Sequence, residues 1–114
     1  MKNCIFCQIV NNKRPARIVY EDEDVVAFHD INPQAPIHIL IIPRKHIPQI
    51  SAMQPEDQLL LGKIIFTGKN LAEQLNIADH GFRMVFNNGR YAGQQIFHIH
   101  LHLLGGRPMS WPPG

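Results

Sequence analysis

The stretch His98-Ile99-His100-Leu101-His102-Leu103-Leu104 alternates imidazole with apolar side chains. Side chains two apart share one face of an extended strand, whereas a helix scatters them around its circumference. The alternation predicts a strand with one chemical face and one packing face. In a regular strand the three imidazoles stand in a row, about 7 Å between neighbours and about 13 Å between the outer two. Ile99, Leu101 and Leu103 then point the opposite way, into a core. An imidazole is costly to bury without a partner, and packing never calls for a row of them. The row is read as chemistry or metal binding.

Composition narrows the class. A chain of 114 residues is expected to be one domain with a single core. A net charge of +2, with scattered Lys and Arg, gives no footprint for nucleic acid. No run approaches the ~18 apolar residues of a membrane span. The apolar stretch at the N-terminus is short and is followed by Asn11, Asn12, Lys13 and Arg14, which is unlike a signal peptide. A soluble, cytoplasmic protein is the expectation. The two cysteines, Cys4 and Cys7, form a C-x-x-C pair. Inside a cell such a pair is a metal half-site or a redox couple.

The rest of the chain supplies a frame for the histidine strand. Residues 4–10 read as a short helix that places both cysteines on one face, ended before Pro15. Residues 17–20 and 25–28 are β-rich and flank Glu21-Asp22-Glu23-Asp24, a solvated hairpin turn. Residues 37–43 are nearly all apolar and should form a central strand, in which His38 needs a polar partner. The histidine row is the obvious one. Pro55, Glu56 and Asp57 start a helix reaching about Leu75, with Leu60, Ile64, Leu71 and Leu75 on one stripe. A fourth strand over 82–87, a loop with Gly89 and Gly93, and a fifth strand over 96–104 complete the order. This is an α+β domain: a five-stranded antiparallel sheet, one long helix across it, and a short N-terminal helix.

The H-φ-H-φ-H-φ-φ pattern resembles the histidine triad (HIT) superfamily. Further segments resemble its nucleotide-binding (Hint) branch: Ile5-Phe6, Phe28-His29-Asp30-Ile31, Pro33-Gln34-Ala35-Pro36 before His38, Asn87-Asn88-Gly89, Gly93-Gln94, Gly105-Gly106-Arg107 and Trp111-Pro112-Pro113-Gly114. The resemblance covers almost the whole chain and implies a single HIT-like domain. It implies a homodimeric purine nucleoside phosphoramidase that cleaves nucleoside 5′-monophosphoramidates and binds purine nucleoside monophosphates. His100 matches the nucleophile, which forms a nucleotidyl-histidine intermediate. His102 and His38 match the histidines that bind phosphate oxygens and pass a proton to the leaving amine, with His98 completing the triad. Asn87, Gly93 and Gln94 match phosphate-side contacts, with Gln95 and Ile96 beside them. Asp30 matches the ribose-binding carboxylate, and Ile5, Phe6, Phe28, His29 and Ile31 match the base pocket. Trp111 matches a tail residue that reaches the partner's site.

Two features depart from the pattern. Gln95 stands where the best-known members carry serine, which puts leaving-group preference in question. Cys4 and Cys7 resemble the pair in zinc-containing relatives, whose other two ligands correspond here to His46 and His98, implying a structural zinc; the plain alternative is two small buried residues. Three other readings stand beside covalent histidine catalysis. One is a metallohydrolase whose metal is held by two of the triad histidines with His38. Another is a nucleotide-binding regulatory protein without turnover. The third, thiol redox chemistry at Cys4 and Cys7, lacks the strand context such motifs have.

Overall fold

The structure is a computed structural model and describes residues 3–114. Strands β1 (Ile18–Glu21), β2 (Val25–His29), β3 (Ile37–Pro43), β4 (Phe82–Val85) and β5 (Leu101–Gly105) form one antiparallel sheet. Their order is β1-β2-β3-β5-β4, so β3 is central and β5 lies against it. Helix α1 (Ile5–Val10) precedes the sheet, and helix α2 (Gln58–Gln74) links β3 to β4.

Alternation along the strands sorts side chains between two faces. Val25 and Ala27, Ile39 and Ile41, and Leu101 and Leu103 pack with Ile64, Leu71 and Ala72 of α2. Each fully buried aliphatic side chain of this layer contributes roughly 1.5–3 kcal/mol. Val26, Phe28, Leu40 and Ile42 project from the other face and pack with Phe6 and Ile9 of α1. The long helix covers one face of the sheet and the short helix covers part of the other. Of the expected helical stripe, Ile64 and Leu71 are buried, while Leu60 and Leu75 are half-buried.

The acidic turn is more structured than a solvated loop. Asp22 Oδ1 accepts the N–H groups of Asp24 and Val25 at 2.9 and 3.0 Å. Lys63 of α2 reaches Asp24 at 2.7 Å and Asp22 at 3.3 Å, clamping the hairpin to the helix.

The fifth strand differs from its predicted span of 96–104. Its ladder begins only at Leu101 and continues through Gly105. The register pairing Ile41 with Leu101 would next engage Pro43, which has no N–H to donate. The Pro43 carbonyl is already in contact with the His98 ring, Nε2 to oxygen 2.8 Å. The chain before Leu101 bonds elsewhere: Ile99 N–H donates to Ile47 O at 2.7 Å. His98 and His100 therefore sit just outside the sheet, and the straight row of imidazoles does not form. Likewise β4 stops at Val85, two residues short of the predicted Asn87.

Gly105 is a packing requirement as well as a strand end. A Cβ there would lie 2.9 Å from Ile77 Cβ and 2.6 Å from its Cδ1. Gly105→Val is expected to lower stability by about 1–3 kcal/mol through overpacking. Urea unfolding checks this; an unchanged midpoint contradicts the packing described.

Candidate active site and adjoining metal centre

The face opposite α2 carries the histidines. His38 on β3 and His102 on β5 project there beside Leu40, which lies opposite His102 in the register. His38 Nε2 and His102 Nδ1 are 2.9 Å apart. The predicted partnership of His38 with the histidine row is present.

The hydrogen bonds fix the tautomers, because a backbone N–H only donates and a carbonyl only accepts. Gln34 N–H donates to His38 Nδ1 at 3.0 Å. Neutral His38 then carries its proton on Nε2 and donates to His102 Nδ1. His102 in turn presents Nε2–H. His100 Nδ1–H donates to the backbone carbonyl of His98 at 2.8 Å, leaving the Nε2 lone pair of His100 free among the described residues. Its ring centroid is 4.9 Å from that of His102. The arrangement offers one unprotonated imidazole nitrogen beside one N–H donor.

Electrostatics keep these rings neutral. Burial lowers the His100 pKa from its ordinary 6.5, against the raising pull of the His98 carbonyl and of Asp30. Burial and then the neighbouring His100 and His38 bring His102 down to about 4. Burial also lowers His38, opposed by Asp30, whose Oδ2 is 3.4 Å from His38 Nε2.

Around this centre the structure gathers part of the predicted pocket. Phe6 meets His100 edge-on at 5.1 Å and Phe28 at 5.5 Å. Ile5 and Ile96 pack against the same cluster. His29 ends β2, and Asp30 follows, its Oδ1 accepting Asn32 N–H at 2.8 Å. Ile31 is fully exposed on the adjoining loop. Asn87 lies just beyond β4 and is half-buried, while Gln95 is exposed. Trp111 is 82% exposed in the tail.

The Gly93-Gln94 segment is built differently from the expectation. The Gly93 N–H donates to Arg90 O at 3.0 Å and the Gln94 N–H to Gly89 O at 3.1 Å. Both amides are engaged inside the turn, so a phosphate meets them only if those bonds exchange. The buried Gln94 side chain accepts from Gly89 N–H and donates to Pro48 O and Ile96 O. It ties the loop to the segment after β3.

Sequence reasoning gave Gln34 and Arg107 no role of their own. Arg107 Nε and Nη2 donate to Gln34 O at 3.1 and 2.8 Å, holding the residue whose N–H sets the His38 tautomer. Arg107→Ala is expected to lower kcat by about 10-fold, with KM changed less, because it acts on orientation rather than binding. Steady-state kinetics reads this; a rise in KM alone contradicts it. The sequence signal was Arg107 directly after Gly105-Gly106, a cation where the chain turns.

A second cluster adjoins the first. Cys4, Cys7, His46 and His98 bring four ligand atoms within 4.8 Å of one another. Cys7 Sγ is 3.2 Å from His46 Nδ1 and 3.5 Å from His98 Nδ1; Cys4 Sγ is 3.4 Å from His98 Nδ1. The two Nδ1 atoms are 3.2 Å apart. Tetrahedral zinc with Cys and His ligands has ligand–ligand edges of about 3.3–3.8 Å, so the donor set fits. The His98 tautomer also fits, since Nε2–H donates to Pro43 O and leaves the Nδ1 lone pair toward the sulfurs.

Asp30, His38 and His102 form another cluster of ligand-type atoms. Its chemistry does not fit a metal. His38 Nδ1 already accepts a backbone N–H, so Nε2 must carry the proton and has no lone pair to give. This removes His38 from the metallohydrolase rival.

The sequence and the fold are matched by known proteins. The HIT domain family model matches residues 11–109. The purine nucleoside phosphoramidase of Escherichia coli (strain K12) is 48% identical over 106 residues, covering 93% of this chain and 89% of that protein. A HIT family hydrolase from Legionella pneumophila Philadelphia 1 superposes with a TM-score of 0.97 at 50% identity, covering 98% of this chain and all of that one. A zinc-bound histidine triad family protein from Mycobacterium smegmatis superposes with a TM-score of 0.81 at 32% identity, covering 93% of this chain and 76% of that one. The chain belongs to the HIT family.

Proposed function

We propose that the protein is a hydrolase that cleaves purine nucleoside 5′-monophosphoramidates through a nucleotidyl intermediate on His100. The observation that carries this reading is the His100 tautomer: Nδ1–H is held by the His98 carbonyl and Nε2 is free. A neutral, oriented imidazole is a competent nucleophile. His100 Nε2 attacks phosphorus as the P–N bond breaks. The departing amine takes its proton from His102 Nε2–H as His38 passes its Nε2 proton to His102 Nδ1, and the negative charge left on the pair faces the positive charge on the His100 ring. The positive charge that develops on the His100 ring is shared with the His98 carbonyl. Water then attacks phosphorus, returns a proton to the pair and releases the nucleoside monophosphate. His102 Nε2–H is placed to donate to a phosphoryl oxygen in both steps.

Phe6, Phe28, Ile5 and Ile96 supply an apolar wall for the base, and Asp30 an acceptor for ribose hydroxyls. The similarity to the E. coli phosphoramidase supports the substrate class. Cys4, Cys7, His46 and His98 would hold zinc, whose contribution there is to organise the fold. The exposed Leu59 and Phe66 of α2, Phe82 of β4 and Trp111 support pairing with a second copy. Hydrolysis of adenosine 5′-phosphoramidate, with and without chelator, tests the reading. Ammonia release that continues after brief chelation supports it. Immediate loss in a chain that stays folded favours metal-dependent chemistry.

A further inference from the structure

Three separate segments contribute donors to the Cys4–Cys7–His46–His98 cluster, and each also holds part of residues 98–100. The first is His98 itself. Its ring is held at Nε2 by Pro43 O and faces the sulfurs through Nδ1, while its carbonyl accepts the His100 Nδ1–H. The second is α1. Six residues are too few for a helix to persist alone, so its place depends on what it packs against. It carries Cys7 and also Phe6, whose ring stands nearly perpendicular to those of His98 and His100, at 5.9 and 5.1 Å. The third follows His46. Ile47 O accepts the N–H of Ile99, the residue between the two histidines, at 2.7 Å.

We propose that this four-residue centre, when metal-loaded, is the positioning device for His100, holding the ring from its backbone side through His98 and through its perpendicular contact with Phe6. The inference rests on the reading of His100 as nucleophile. The His38–His102 pair is oriented by Gln34 instead, outside the cluster. It serves as an internal control.

The experiment compares zinc-loaded protein with chelator-stripped protein and with His46→Asn, zinc content being measured in each. All carry 15N-labelled histidine. The readouts are the His100 Nδ1–H resonance, assigned by its loss in His100→Ala, and hydrogen exchange. Loaded protein is expected to show the resonance. Without metal it should vanish, and exchange at Ile99 should quicken at least about 10-fold while β2 and β3 change less than about 2-fold. The His38 Nε2–H should be unmoved, and kcat should fall about 10-fold with little change in affinity for AMP. An unchanged resonance and unchanged exchange at Ile99 would overturn the proposal. If metal removal unfolds the chain, cobalt-loaded protein decides: His100→Ala should shift its absorption bands, and identical bands would overturn the coupling. A loaded protein that shows no phosphoramidate turnover defeats the functional reading but leaves the resonance and exchange comparison decisive.

Discussion

His100→Ala is expected to lower phosphoramidate turnover by at least about 10³-fold while AMP still binds, because neither neighbouring histidine can take over covalent attack. His102 is the nearest candidate, with its ring centroid 4.9 Å away. Its Nδ1 is engaged by His38 and its Nε2 carries the proton, so it has no lone pair free. His38 is closed by the same logic, since Gln34 N–H occupies its Nδ1. The wall formed by Phe6 and Phe28 survives the substitution, so nucleotide affinity should change little. Turnover by His100→Ala within about 10-fold of wild type would place the nucleophile elsewhere.

The second large effect is loss of stability in acid. His102 has a pKa of about 4 when folded against an ordinary 6.5. Between those values the unfolded chain binds the extra proton and the folded chain does not, so stability rises with pH. The contribution is fully present above about pH 6.5 and is lost as pH falls toward 4. At about 1.4 kcal/mol per pH unit, discounted for the partial exposure of the ring, this group is worth on the order of 1–2 kcal/mol. Urea unfolding of metal-free protein from pH 7.5 to 4.5 should show the decline, and His102→Gln should make it less steep, with buried His98, also lowered to about 4, and His100 keeping part of it. A His102→Gln chain with the same acid slope as wild type contradicts the assignment. Burial of His100 also lowers its pKa, so the acid limb of kcat/KM should have its midpoint below pH 6.5.

Much of this site was legible from spacing. Alternation placed Leu101 and Leu103 in the core and His102 on the opposite face, and burial bears that out. The apolar run over 37–43 announced a central strand, and its lone His38 required a polar partner. Spacing could not say where the ladder stops. That depends on Pro43 lying opposite the histidine segment, a consequence of the register between β3 and β5. Nor could it show that His98 turns toward Cys4 and Cys7, away from its neighbours in the row. The resemblance supplied the four ligands, and the tautomer at Pro43 gives the physical reason His98 can serve as one.

Two supporting contacts were illegible for a different reason. Arg107 and Gln34 meet only because the turn after β5 returns beside the loop before β3. Their residue types fit any surface loop. The glycines between them mark the approach: a Cβ on Gly106, at φ +92°, would lie 2.9 Å from Pro36. Glycine tolerates that conformation readily. Sequence patterns report which side chains share an element, while such cross-loop bonds depend on where elements end.

The most direct test of covalent histidine catalysis is intact-mass analysis of enzyme quenched in acetonitrile within milliseconds of mixing with adenosine 5′-phosphoramidate. The account predicts a transient species heavier by one adenylyl group, mapped to His100, absent from His100→Ala and decaying at the rate of AMP release. Full turnover with no such adduct, in a quench shown to preserve phosphohistidine, would contradict it and point to direct attack by water.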